Sequence, residues 1–71
     1  MDANIFKDAA NYMKKYYSDG ENKQCVFIYY EFRDDFQGGT LIIAHRVYDN
    51  GSWEKTAFTY GELESLAGMW A

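Results

Sequence analysis

Few residues in this sequence are equipped for catalysis, and they do not form a set. His45 is the sole histidine and falls in TLIIAHRVY. Set among Leu41, Ile43 and Val47, it is expected to be a core-edge histidine bonded to a neighbour rather than a general base. Cys25, the sole cysteine, has no helix N-terminus or cationic partner close in sequence to lower its pKa, and by itself makes neither a disulfide nor a metal site. Ser52 and Ser65 lack a base at a defined spacing. Asp34-Asp35 with Glu31 offers carboxylates but not the alternating oxygen ligands of a calcium loop, so a solvated acidic turn is expected. Gly38-Gly39 precedes no helix and has no lysine beside it, which excludes a phosphate loop. No enzyme, metal or cofactor is called for.

Recognition chemistry is better supplied. Aromatic residues make up 20% of the 71 positions and hydrophobic residues 48%, too rich for disorder and more aromatic than so small a core needs. Proline is absent and the net charge is −4, which suits solubility or a basic partner and disfavours wrapping a nucleic-acid backbone. No apolar run approaches membrane-spanning length, and the lone cysteine fits a reducing compartment, so a soluble, cytoplasmic protein is expected.

The elements that must position these residues follow from periodicity. Ile5/Phe6, Ala9/Ala10, Tyr12/Met13 and Tyr16/Tyr17 recur at helical spacing with charged and polar residues between them, which predicts a helix over 3–17. Asp2 is its expected cap, Lys14 and Lys15 suit its C-terminal end, and Ser18-Asp19-Gly20 its stop. KQCVFIYYEF (23–32), TLIIAHRVY (40–48) and SWEKTAFT (52–59) are rich in β-branched and aromatic residues and predict strands. Asn50-Gly51 between the last two is a strong hairpin signal. Thr59 and Glu62 form a capping box, and Leu63, Leu66, Ala67 and Trp70 continue a short helix over 60–70. The fold class is therefore α+β: one small domain, α-β-β-β-α, a three-stranded antiparallel meander with both helices on one face.

Taking Asn50 and Gly51 as a two-residue turn pairs Tyr48 with Trp53, Arg46 with Lys55 and Ala44 with Ala57. One face then holds Leu41, Ile43, His45 and Val47 with Glu54, Thr56, Phe58 and Tyr60. Placing Phe32 near Leu41 adds Val26, Ile28, Tyr30 and Phe32, and this face is expected to be the core. The other face gathers Cys25, Phe27, Tyr29 and Glu31 beside Ile42, Ala44, Arg46 and Tyr48, and beside Trp53, Lys55, Ala57 and Thr59. Tyr48 against Trp53 is explained by hairpin stability alone, at roughly 0.2–1 kcal/mol. Phe27 and Tyr29, and the like-charged Arg46 opposite Lys55, are not, and an exposed patch of this kind marks a binding surface.

The expected site is therefore Phe27, Tyr29, Glu31, Arg46, Tyr48, Trp53 and Lys55, with Asp34, Asp35, Asp49 and Glu54 as acids around the same end of the sheet. Aromatics and an arginine at the centre with charges at the rim make a protein interface, and the acids suit a basic target such as another protein's nucleic-acid groove. A platform for single-stranded nucleic acid, or a homodimer burying two such faces, are the alternatives. In topology the chain resembles the double-stranded RNA-binding domain, but Gly61-Glu62-Leu63-Glu64-Ser65 is acidic where that family carries its lysine cluster. In size, acidity and lack of catalytic chemistry it is similar to the small inhibitors encoded by phages and other mobile elements, anti-CRISPR proteins among them.

Overall fold

A computed structural model describes residues 3–17, 23–35 and 37–70. Helix α1 spans Ala3–Tyr16, strands β1, β2 and β3 span Cys25–Asp34, Thr40–Tyr48 and Trp53–Phe58, and helix α2 spans Tyr60–Gly68. The strands form one antiparallel sheet in the order β1-β2-β3. Ala9 and Met13 of α1 and Leu63, Leu66 and Ala67 of α2 close over Ile42, Ala44 and Phe58, and Ile28 and Tyr30 of β1 pack at the margin. The chain is thus the α+β meander with helices on one face that the periodicity predicts.

The capping box is present in full: Glu62 N–H donates to Thr59 Oγ1 at 3.1 Å, and Thr59 N–H to Glu62 Oε1 at 2.8 Å. Lys14 and Lys15 occupy the last turn of α1, where cations favour the helix dipole. The expected cap at Asp2 and stop at Ser18-Asp19-Gly20 lie outside the described residues.

The register differs from the expected one by a single residue at both hairpins. Val47, not Tyr48, faces Trp53, and Phe32 faces Ile42 rather than Leu41. The cause is a common loop design. Tyr48 N–H donates to Ser52 C=O while Gly51 N–H donates back to Tyr48 C=O, and Asp35, Gly39 and Gly38 repeat this pattern. Each loop therefore holds three residues, a tight turn closed by a glycine in the left-handed region, with φ of 92° at Gly38 and 87° at Gly51. One added residue at each end of β2 leaves β1 and β3 on their expected faces and turns β2 over.

Ile42, Ala44, Arg46 and Tyr48 consequently point into the core, while Ile43, His45 and Val47 project on the other face, where Ile43 is nonetheless buried among its neighbours, at 7% exposure. A bulge at Val26 adds a further correction: Cys25 pairs with Tyr48 and is buried instead of lying on the open face, and Val26 is exposed instead of core.

Candidate functional site

Neither helix covers the second face of the sheet. Phe27, Tyr29, Glu31 and Arg33 from β1, Ile43, His45 and Val47 from β2, and Trp53, Lys55 and Ala57 from β3 share it by register. Trp53 is 66% exposed and Phe27 55%, on strands whose other face is committed to the core. A single tryptophan on a surface means little; a row of rings on an uncovered sheet face is a patch.

The patch is organised. The His45 and Tyr29 rings stack with centroids 4.5 Å apart and planes 4° from parallel, and Phe27 continues the row 5.8 Å from Tyr29. His45 Nε2 lies 2.9 Å from Glu31 Oε1, and Arg33 Nε donates to Glu31 Oε2 at 2.8 Å. The hydrogen bond from Arg33, then that from His45, holds the Glu31 carboxyl below the usual carboxylate range. Glu31 so fixes both the imidazole and the guanidinium that flank it.

Two shallow depressions lie side by side across this face. One of about 280 Å³ is lined by Tyr29, His45, Val47, Trp53 and Lys55; the other, of about 250 Å³, by Arg33, Ile43, Lys55 and Ala57. Lys55 is common to both, and it has no ion partner among the described residues. The arrangement offers stacking surface and an available cation without a nucleophile. No group of three or more His, Cys, Asp or Glu able to hold a metal occurs among the described residues.

Of the expected site residues, Phe27, Tyr29, Glu31, Trp53 and Lys55 do come together here. Arg46 and Tyr48 do not: turned inward with β2, they are 6% and 2% exposed. Arg46 Nε donates to the Tyr48 hydroxyl at 3.1 Å and Nη1 to Thr56 Oγ1 at 2.9 Å, with Nη2 3.7 Å from Glu54 Oε1 and the guanidinium carbon 4.9 Å from the Tyr17 ring centroid. They form a buried polar network that joins the sheet to α1. The expected clash of Arg46 with Lys55 is replaced by an attractive pairing of Arg46 with Glu54.

The acids do not ring one end of the sheet. Asp34 and Asp35 lie at the β1–β2 loop, where Asp35 Oδ1 accepts from Gln37 N–H. Asp49 lies at the opposite end, accepting from Gln24 N–H through Oδ1, and Glu54 is engaged on the helix side with Tyr48, Arg46 and Lys23.

His45, Val47, Ile43, Arg33 and Ala57 belong to the face without having been picked out as site residues. The signal that finds them is electrostatic: sliding β2 by one residue removes the like-charged Arg46–Lys55 pair. Comparison with family models, curated proteins and solved structures returned no match.

Proposed function

We propose that this chain is a non-enzymatic protein-binding module that docks on another protein through its open sheet face. The observation that carries this reading is the exposed Trp53 beside the ordered Phe27–Tyr29–His45 row on the face that neither helix covers. Rigid aromatics are the anchors that dominate interface energetics, and Glu31, Arg33 and Lys55 supply the polar contacts around them. The net charge of −4 and the acids at both ends, Asp34 and Asp35 at one and Asp49 at the other, favour a partner with a basic surface. In the cytoplasm such a domain would act as an inhibitor or regulator, of the kind phages and other mobile elements encode.

Lys55, lying between the two depressions without an ion partner, favours a second reading in which the rings stack single-stranded bases and the lysine holds a phosphate.

One experiment separates them. The tagged protein and its Tyr29→Ala/Trp53→Ala variant are incubated with host-like lysate, with and without nuclease, and captured proteins are identified. A discrete protein retained after nuclease by the parent and lost by the variant is the expected result. Capture abolished by nuclease would transfer the face to nucleic acid, and identical capture by parent and variant would remove the face from function. Tyr48 has no place in this test, because its loss disturbs the buried network.

A further inference from the structure

The large exposed apolar side chains are concentrated on β1, and they occur on both of its faces. Phe27 and Tyr29 lie on the open face, Val26 at the bulge, and Phe32, 57% exposed, on the helix side beside Phe6. A partner docking on the open face would leave Phe32 in water. Only a partner approaching edge-on reaches both sides.

β1 is a sheet edge of ten residues. The direction of its free backbone groups follows from the loop. Asp35 N–H bonds to Gly39 C=O across the hairpin, so Arg33, Glu31 and Tyr29 also aim their N–H and C=O at β2, and Ile28, Tyr30 and Phe32 aim theirs outward. Proteins protect such edges by shortness, lysine, proline or bulges. The other edge, β3, has six residues and carries Lys55. β1 has neither lysine nor proline, its bulge lies near one end at Val26, and FIYYEF beyond it carries a single charge, Glu31.

We propose that β1 pairs antiparallel with β1 of a second copy about a two-fold axis through Tyr30, making one continuous six-stranded sheet from two three-stranded ones. The side-chain chemistry selects this register. Ile28 then faces Phe32 of the second copy, so the exposed Phe32 is covered. On the open face Tyr29 meets Glu31 and Phe27 meets Arg33, an aromatic against a cation; the pairing ends where Asp34 reaches the bulge at Val26. Centring on Glu31 would set that carboxylate against its own copy. Centring on Tyr29 would carry the Val26 bulge inside the pairing, against Phe32, where centring on Tyr30 leaves it at the end. The two open faces become contiguous, which gives the docking surface two arms without altering either.

The test is sedimentation over a concentration series, with a variant and a cross-link. Phe32→Pro removes one outward N–H per copy and spares every bond to β2. The parent should pass from monomer to dimer, and the variant should dimerise at least about tenfold more weakly with an unchanged circular dichroism spectrum. Should Phe32→Pro unfold, Phe32→Lys replaces it. Phe27→Cys/Arg33→Cys places two thiols at a non-hydrogen-bonded pair, about 4.5 Å between Cα atoms, within disulfide reach. Within one chain the same positions lie about 20 Å apart along the strand, so oxidation should give a covalent dimer and neither single variant should. A parent that stays monomeric, a dimer indifferent to Phe32→Pro and Phe32→Lys, or single variants that cross-link as well as the double would overturn the proposal. So would a dimer lost in Trp53→Ala alone, since Trp53 lies on β3 away from the β1 seam, which would place the contact on the sheet faces.

Discussion

The Tyr48 hydroxyl lies 2.7 Å from Glu54 Oε1 and donates to it, while accepting from Arg46 Nε. One phenol thereby mediates between a buried guanidinium and a half-exposed carboxylate. Tyr48→Phe keeps the ring, which Lys23 covers at 4.3 Å, but leaves Arg46 Nε without its acceptor. Orphaning a buried charged donor costs about 1–3 kcal/mol. The variant should fold and lose that amount in urea denaturation, whereas Arg46→Ala, which removes the donor to Thr56 Oγ1 and to the Tyr48 hydroxyl and empties a buried site against Met13 and Tyr17, should lose about 3 kcal/mol or more.

Tyr30 predicts an alkaline transition. Burial pushes its hydroxyl up to about 12 from the ordinary 10.0, while the oxygen donates to Phe6 C=O at 2.8 Å. The folded state holds this proton more tightly than the unfolded chain. Stability is therefore fully present below pH about 10 and declines as pH rises towards about 12. Tyr30→Phe should be somewhat less stable at neutral pH through the lost bond, yet flatter across that alkaline window, as thermal melts at stepped pH would show. Equal alkaline losses in both proteins would assign the transition to another group.

Glu31 predicts an acid dependence of opposite sign. Its folded pKa is depressed, first by Arg33 and then by His45, so its contribution is present above the usual carboxylate range and lost as pH falls through the depressed value. Arg33→Ala should return the Glu31 carboxyl towards the ordinary range, visible in its side-chain carbonyl chemical shift. No movement would mean that Arg33 does not hold Glu31 in solution.

Gly51→Ala tests the loop that fixes the register. A Cβ at Gly51 meets nothing within 4 Å, but φ is +87°, where an alanine is strained by about 1 kcal/mol. The loss should appear in denaturation without a change in the fold's circular dichroism. An unchanged midpoint would indicate that the loop does not hold this turn.

Element order and type were legible because each rests on a local pattern: apolar pairs at helical spacing in α1, β-branched and aromatic runs in the strands, and Thr59 with Glu62 at the start of α2. The side-chain assignment of β2 was not, because it depends on loop length. Asn50-Gly51 serves a two-residue turn, with both residues at positive φ, and equally a three-residue turn in which glycine alone closes the loop. The turn residues do not choose; the like charges of Arg46 and Lys55 argue against the two-residue turn, and the burial of Arg46 against Glu54 and Thr56, a tertiary effect, decides for the other. Half of the site survived because β1 and β3 were displaced together relative to β2. Phe27, Tyr29, Glu31, Trp53 and Lys55 kept their face, and Arg46 and Tyr48 exchanged places with His45 and Val47.

The paired three-residue loops also bear on how this domain can change over generations. Surface connections are ordinarily where small proteins tolerate insertions and deletions. Here a single deletion beside Gly38 or Gly51 would ask a nine-residue strand to exchange its interior for its exterior, bringing Arg46 and Tyr48 out and drawing His45 in. Point substitutions on the open face should accumulate freely as partners diverge, while the spacing between Asp35 and Gly39, and between Tyr48 and Ser52, should be held constant in any descendant that keeps this fold.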